Sequence, residues 1–252
     1  HPNSPVIMEP IFAIDMHVRA LPTARLGAMA DIMRATHLDQ AILASLCREN
    51  DMYHVRQRCA ILVSRMALTM PPPKFHDMVR ATTRWPDLCR SLISTSVMLT
   101  HARSRKLVAL GLAHILRHAS AEDTGLLSAV PDMIGLWTEV LGEVVEDEAG
   151  SADRYEREMS PTRALEIGED GIPFLDEFGL IETASTPSSA RTDAVRKRDP
   201  AFTVPLRAYV ADTLNTVLQD GSHKTELQSL LATIDPLVLD TLQRGLSERP
   251  AA

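Results

Sequence analysis

Glycine is scarce and dispersed in this chain: there are 11 in 252 residues, with Gly27, Gly111, Gly125, Gly135 and Gly142 lying far apart. A phosphate-binding loop needs clustered glycines so that backbone amides can approach the anion, so no nucleotide site is implied. Aromatic residues are only 4% of the sequence, and the aromatic and β-branched richness of strand proteins is missing. Cysteine is limited to Cys47, Cys59 and Cys89, an odd count without knuckle spacing. Set among apolar neighbours, each reads as a small hydrophobe, and a reducing, intracellular compartment is expected. No apolar run approaches the ~20 residues that cross a bilayer. The longest candidate, Leu107 to Leu116, is interrupted by Gly111 and His114 and stops at Arg117. An overall excess of cations is also lacking. The net charge is -7, which argues against a nucleic-acid footprint, since that requires cations to displace counterions from phosphates. The chain begins at His1 without a basic-then-apolar leader, so a fragment with sequence missing upstream is expected.

What is present is 45% hydrophobic and 23% charged residues, with Leu, Ala, Met and Arg recurring throughout, an ordinary globular balance dominated by good helix formers. At helical period, residues 23–37 place Leu26, Met29, Ala30, Met33 and His37 on one face. Residues 51–69 align Val55, Cys59, Leu62, Val63 and Met66 behind Asn50 and Asp51, either of which suits a cap. Pro71, Pro72 and Pro73 end that helix, and a short one is expected over 74–82. Another is expected from Trp85 to Leu99, with Pro86 in its first turn. Arg103 to Arg117 is apolar nearly all round and should be buried on most sides, and 130–145 carries a stripe of Val130, Ile134, Trp137, Leu141 and Val144. Successive helices joined by short turns pair as antiparallel hairpins, and pairs recurring at about 40 residues indicate an all-α, HEAT-repeat α-solenoid. No strict internal repeat is visible, so a plain helical bundle is the alternative.

Three regions follow. Residues 1–146 carry a charge of +1 and read as the helical repeats, whereas 147–252 carry -8. Residues 147–198 read as an acidic and Ser/Thr-rich flexible segment, within which Glu182 to Asp199 has too little apolar area to offset the entropy of ordering and is expected to be a mobile linker. Within 143–177 there are 12 acids against 3 bases. Residues 199–252 return to helix and are expected to cap the solenoid. Phe202, Leu206, Tyr209, Val210, Leu214, Val217 and Leu218 share one face, Leu227, Leu230, Leu231 and Ile234 another. A last helix starts at Asp235 and Pro236 and carries Val238, Leu239, Leu242 and Leu246.

Catalytic chemistry finds little support. His114 and His118 stand four apart, right for two metal ligands, but no Glu follows His114 and no third ligand is evident. They read instead as a core-closing residue and a helix-end cation. His37, His54 and His76 have no nucleophile at a motif spacing. No enzyme, cofactor or metal is implied. The acidic stretch has a better use: Glu143, Glu146, Asp147, Glu148, Asp153, Glu156 and Glu158 are the candidate contacts for a basic protein partner, drawn in by a field that reaches about 10 Å at 0.1 M salt.

Lys197, Arg198, Asp199 and Pro200, then Thr203, Val204, Leu206, Tyr209 and Val210, then Thr233, Ile234, Asp235, Val238, Leu242, Gln243 and Leu246 resemble the end of the importin-11 type of karyopherin. Arg105, Lys106, Leu107, Ala109, Leu110, Leu112, Ile115 and Leu116 resemble a late-repeat helix of the same proteins, and Trp85 to Leu99 the helix before it. The resemblance implies the C-terminal region of an importin-β superfamily nuclear transport receptor, shuttling between cytoplasm and nucleus. It further implies protein cargo, such as basic ribosomal proteins or ubiquitin-conjugating enzymes, passage on phenylalanine-glycine (FG) nucleoporins, and release by Ran-GTP bound chiefly through amino-terminal repeats. No direct nucleic-acid contact and no membrane insertion are implied. The shared residues look like core and capping positions. A static helical scaffold without shuttling is the alternative.

Overall fold

A computed structural model describes residues 4–21, 23–48, 53–120, 122–123, 125–148, 199–219 and 224–247. Helices α1 (Ser4–Ala20), α2 (Thr23–Ala35), α3 (Leu38–Cys47), α4 (Tyr53–Thr69), α5 (Pro72–Thr82), α6 (Trp85–Ser96) and α7 (Ala102–Arg117) follow one another. A 3₁₀ turn (Leu126–Ala129) leads into α8 (Val130–Glu148), and the chain then resumes with α9 (Pro200–Thr203), α10 (Leu206–Gln219), α11 (Lys224–Leu231) and α12 (Pro236–Ser247). No strand occurs among the described residues.

The packing makes two long rows. Helices α1, α4, α7 and α10 touch in that order, and α3, α6, α8 and α12 form the second row against them. A further element of each unit makes its own contacts along the stack: α2 meets α5, and the 3₁₀ turn meets α11. The chain is thus an all-α stack of three-helix units, the first three starting at residues 4, 53 and 102, an even step of 49. The sequence points to helix pairs at a shorter period; a third element in each unit accounts for the extra length. The fourth unit, α10 to α12, continues the same rows after the segment that separates it from α8.

Several boundaries differ from those read at helical period. Helix α2 stops at Ala35, and His37 is exposed rather than on the core face. His37 adopts φ 57 in the turn before α3, a left-handed conformation more typical of glycine or asparagine. The break therefore carries no Gly or Pro signal, and α3 hides behind α2. Helix α1 is masked in another way, because Pro10 lies inside it and removes one helical donor. The proline run does end α4, but it also opens α5, whose first two positions are Pro72 and Pro73, where missing donors cost nothing. Helix α6 ends at Ser96 rather than Leu99. The proposed α4 caps Asn50 and Asp51 lie outside the described residues. Asp235 does cap α12, accepting from Leu237 N at 2.8 Å.

Helices α4 and α7 are the spine. From Leu107 to Leu116 every side chain except His114 is buried, as the all-round apolar pattern requires, and Cys59 to Ala67 is buried likewise. They cross closely at Gly111, where a Cβ would come within 2.9 Å of Ser64 Cα. Trp137 on α8 ties the second row to the first by donating from Nε1 to Ala109 O at 3.0 Å. All three cysteines are free thiols, Cys59 and Cys89 buried and Cys47 half-buried.

Candidate protein-binding surface

Three polar assemblies among the described residues involve buried or half-buried groups at places where two or more elements meet. The deepest joins α1 and α4 to the residue that precedes α9. Arg65, in the middle of the apolar run of α4, is fully buried and pairs with Asp15 on α1 and, at 3.0 Å, with Asp199 Oδ2. Arg19 on α1 contacts Asp15 at 2.8 Å and Asp199 at 3.7 Å. Two guanidinium groups and two carboxylates thus balance without net charge, which is the condition under which ions are tolerated in an interior. Burial alone would lower the Arg65 pKa, but Asp15 and Asp199 outweigh it and raise it, so that guanidinium stays charged. Asp199 also caps α9 by accepting from Ala201 N at 3.0 Å. The tetrad fixes where the chain rejoins the stack.

A second assembly surrounds Asp123, which follows α7. Its carboxylate is buried and accepts from Arg80 Nε at 2.8 Å, Trp85 Nε1 at 2.9 Å, Ser120 N at 2.8 Å and Ser120 Oγ at 3.0 Å, and pairs with His76 Nδ1 at 2.9 Å. Burial would raise its pKa, yet the hydrogen bonds from Arg80, the Ser120 amide and His76 prevail and hold it well below the usual carboxylate range. The Ser120 hydroxyl donates to Asp123 rather than to a histidine, so the group does not have the nucleophile-to-base order of hydrolytic triads. Its work is to bind α5, α6 and the turn after α7 together. It also backs an open cleft of about 530 Å³.

The third assembly places α10 on α7. His114 Nδ1 meets Tyr209 Oη at 2.5 Å, the His118 ring lies 4.4 Å from that of His114, and Arg117 pairs with Asp212 at 2.5 Å. Burial, then His118, His76 and Arg117, pushes the His114 pKa down to about 4, so the imidazole is neutral at pH 7. Of the pair considered as metal ligands, His114 is thus engaged with Tyr209, while His118 lies against the His114 ring. No three His, Cys, Asp or Glu side chains among the described residues group so as to hold a metal ion.

Of the candidate acidic contacts, Glu143 is exposed on α8 and pairs with Arg105, which also reaches Glu139 at 2.8 Å. Glu146, Asp147 and Glu148 belong to the last turn of α8. Asp153, Glu156 and Glu158 lie outside the described residues, as does nearly all of the 147–198 segment. Sequence reasoning missed Asp15, Arg19, Arg65 and Asp123. The available signal was an arginine between Val63 and Met66, on a helix otherwise apolar at that level. Large apolar side chains stand exposed at Tyr53, Val97 and Met98, where Tyr53 Oη and Gln57 Nε2 each donate to Met98 O at 2.8 Å. Among the described residues no helix is long and apolar enough to cross a membrane.

Helical units repeated along two rows are the architecture of an α-solenoid repeat protein. Comparison with known families agrees with it. The family described as "Importin-11-like, TPR repeats" matches residues 10–247. No curated protein and no solved structure matches the chain. The match spans all four helical units, and the chain belongs to the importin-11-like repeat family, a kind found in nuclear transport receptors rather than among enzymes.

Proposed function

We propose that the chain is the C-terminal part of a nuclear import receptor that carries protein cargo through nuclear pores and gives it up to Ran-GTP, without catalysis of its own. Family membership over residues 10–247 is the observation that carries this reading. The receptor works between cytoplasm and nucleus and associates with the pore in transit. The physical form suits such a carrier, because each unit contacts mainly its neighbours and the stack can flex while presenting a long surface. FG nucleoporins bind weakly at exposed apolar positions such as Tyr53, Val97 and Met98, and many weak contacts combine useful avidity with fast exchange. Ran-GTP engages chiefly repeats amino-terminal to this region.

Cargo is a basic protein, of the ribosomal-protein or ubiquitin-conjugating-enzyme kind, drawn to the acidic stretch that includes Glu143, Glu146, Asp147, Glu148, Asp153, Glu156 and Glu158. The test is a pull-down of basic cargo with the full-length receptor, with and without GTP-loaded Ran. Release on adding Ran-GTP supports the reading. Cargo retention indifferent to the nucleotide overturns it in favour of a static scaffold.

A further inference from the structure

We propose that the end of the stack formed by the starts of α4 and α7 is a docking surface for an acidic, apolar peptide segment, and that its occupant is the chain's own residues 164–182. The inference is independent of the receptor reading. It rests on the charge of two helices, the apolar side chains exposed beside them and the places where the chain leaves and rejoins the stack.

Helices α4 and α7 carry no aspartate or glutamate, and neither does any position from 88 to 121. Within their first six residues they carry Arg56, Arg58, Arg103 and Arg105, each half-buried. The amino-terminal ends of both helices add the positive pole of their backbone dipoles. Helix α8 offsets part of this charge through Glu139 and Glu143, both bonded to Arg105. Beside the arginines stand three exposed apolar side chains. Tyr53, 44% exposed, opens α4, and Val97 and Met98, 68% and 39% exposed, lie in the turn from α6 to α7. Tyr53 Oη and Gln57 Nε2 donate to Met98 O at 2.8 Å, which brings that turn, and with it the start of α7, to the start of α4. A ligand that matches this surface presents carboxylates and large apolar groups together.

Residues 164–182 present both. They include Glu166, Glu169, Asp170, Asp176, Glu177 and Glu182 with no lysine or arginine, and Phe174, Leu175 and Phe178 stand among them. They lie outside the described residues, but the chain on either side is anchored to the same two helices. On one side α8 is tied to α7 through Arg105. On the other, Asp199 accepts from Arg65 of α4 at 3.0 Å, and Arg103 of α7 lies 4.7 Å from the Phe202 ring centroid. Glu166 comes 18 residues after Glu148, and Glu182 comes 17 before Asp199. A coil of such length spans about 20–25 Å, more than the roughly 10 Å between packed helices. Attachment at both ends gives an effective concentration on the order of millimolar, which suffices for a contact made of individually weak ion pairs. In covering Tyr53, Val97 and Met98, the segment competes with any other ligand that uses them.

The experiment uses the 252-residue chain with the photocrosslinker p-benzoylphenylalanine in place of Val97, followed by mass spectrometry of the irradiated protein. Crosslinks from position 97 into 164–182 of the same chain are expected. Exchanging the six acids for glutamine and asparagine should lower their yield about fivefold, the scale of two or more exposed ion pairs, and high salt should lower it likewise. Arg56→Glu, which reverses one charge of the surface, should lower it too. A synthetic peptide of residues 164–182, added in excess to the chain with its acids intact, should be captured in place of the chain's own segment. Absence of crosslinks into 164–182, capture of residues 143–158 instead, or a yield indifferent to salt and to the six exchanges would each overturn the proposal. So would crosslinks that join two chains, which would assign the surface to a second copy.

Discussion

Arg65 shows how much one side chain decides in this protein. It is fully buried, and removing its charge leaves Asp15 and Asp199 with Arg19 as their one shared cation in the tetrad, so that one buried carboxylate is in excess. Arg65→Met should therefore cost about 3–5 kcal/mol, the usual penalty for stranding a buried charge. Asp199→Asn separates two roles, since asparagine can still cap α9 but no longer balances the guanidinium groups; its loss should be smaller, and denaturant unfolding of both variants checks the order. His114 sets a pH dependence. Its folded pKa of about 4 lies below the ordinary 6.5, so the unfolded chain binds the proton more readily. The neutral ring's contribution is complete above about pH 6.5 and is lost as pH falls toward 4, on the order of 2 kcal/mol for a partly exposed ring. Chemical denaturation at pH 7, 5.5 and 4 should show that slope, and His114→Gln should flatten it. The assignment fails if the variant keeps the wild-type slope.

Among the elements, the α4–α7 crossing is the tightest joint. Gly111→Ala gains helix propensity worth about 1 kcal/mol, but its methyl meets Ser64 Cα and Cβ at 2.9 Å, both rigidly placed. Overpacking of this kind costs about 1–3 kcal/mol, so net destabilisation is expected, read as a lower thermal midpoint. At the other end, Leu242 is the buried anchor of α12, and Leu242→Asp should unseat that helix at a cost of several kcal/mol. Hydrogen exchange should rise over 236–247 before it rises in α7; an unchanged midpoint would mean that α12 is not docked through this residue. The same elements show what is legible in the sequence. Helices α4, α7, α8 and α12 are visible from their apolar stripes and proline or aspartate boundaries, because their packing is periodic in the sequence. Helix α3 is not, since only the left-handed turn at His37 divides it from α2, and nothing local announces that turn.

For the whole molecule, the proposed cargo reading makes electrostatics the quantity to measure. Neutralising the acids from Glu143 to Glu158 should weaken a basic cargo and flatten its salt dependence, whereas an unchanged affinity and slope would remove the acidic stretch as the contact. Composition and hydrophobic period by themselves determined that this chain is helical, and favoured a stack over a plain bundle, because burial of an amphipathic stripe is encoded every three or four residues and needs no distant partner to be recognised. They also located the acidic stretch, since charge is a sum over residues. Only the tertiary structure decided the three-helix unit and the joining of Asp199 to Arg19 and Arg65 across the stack. It likewise decided the gathering of His76, Arg80 and Trp85 on Asp123. Those contacts link residues at least 38 positions apart, and an ion's partner in an interior is chosen by proximity in space and by the cost of leaving a charge unpaired, neither of which has a period along the chain.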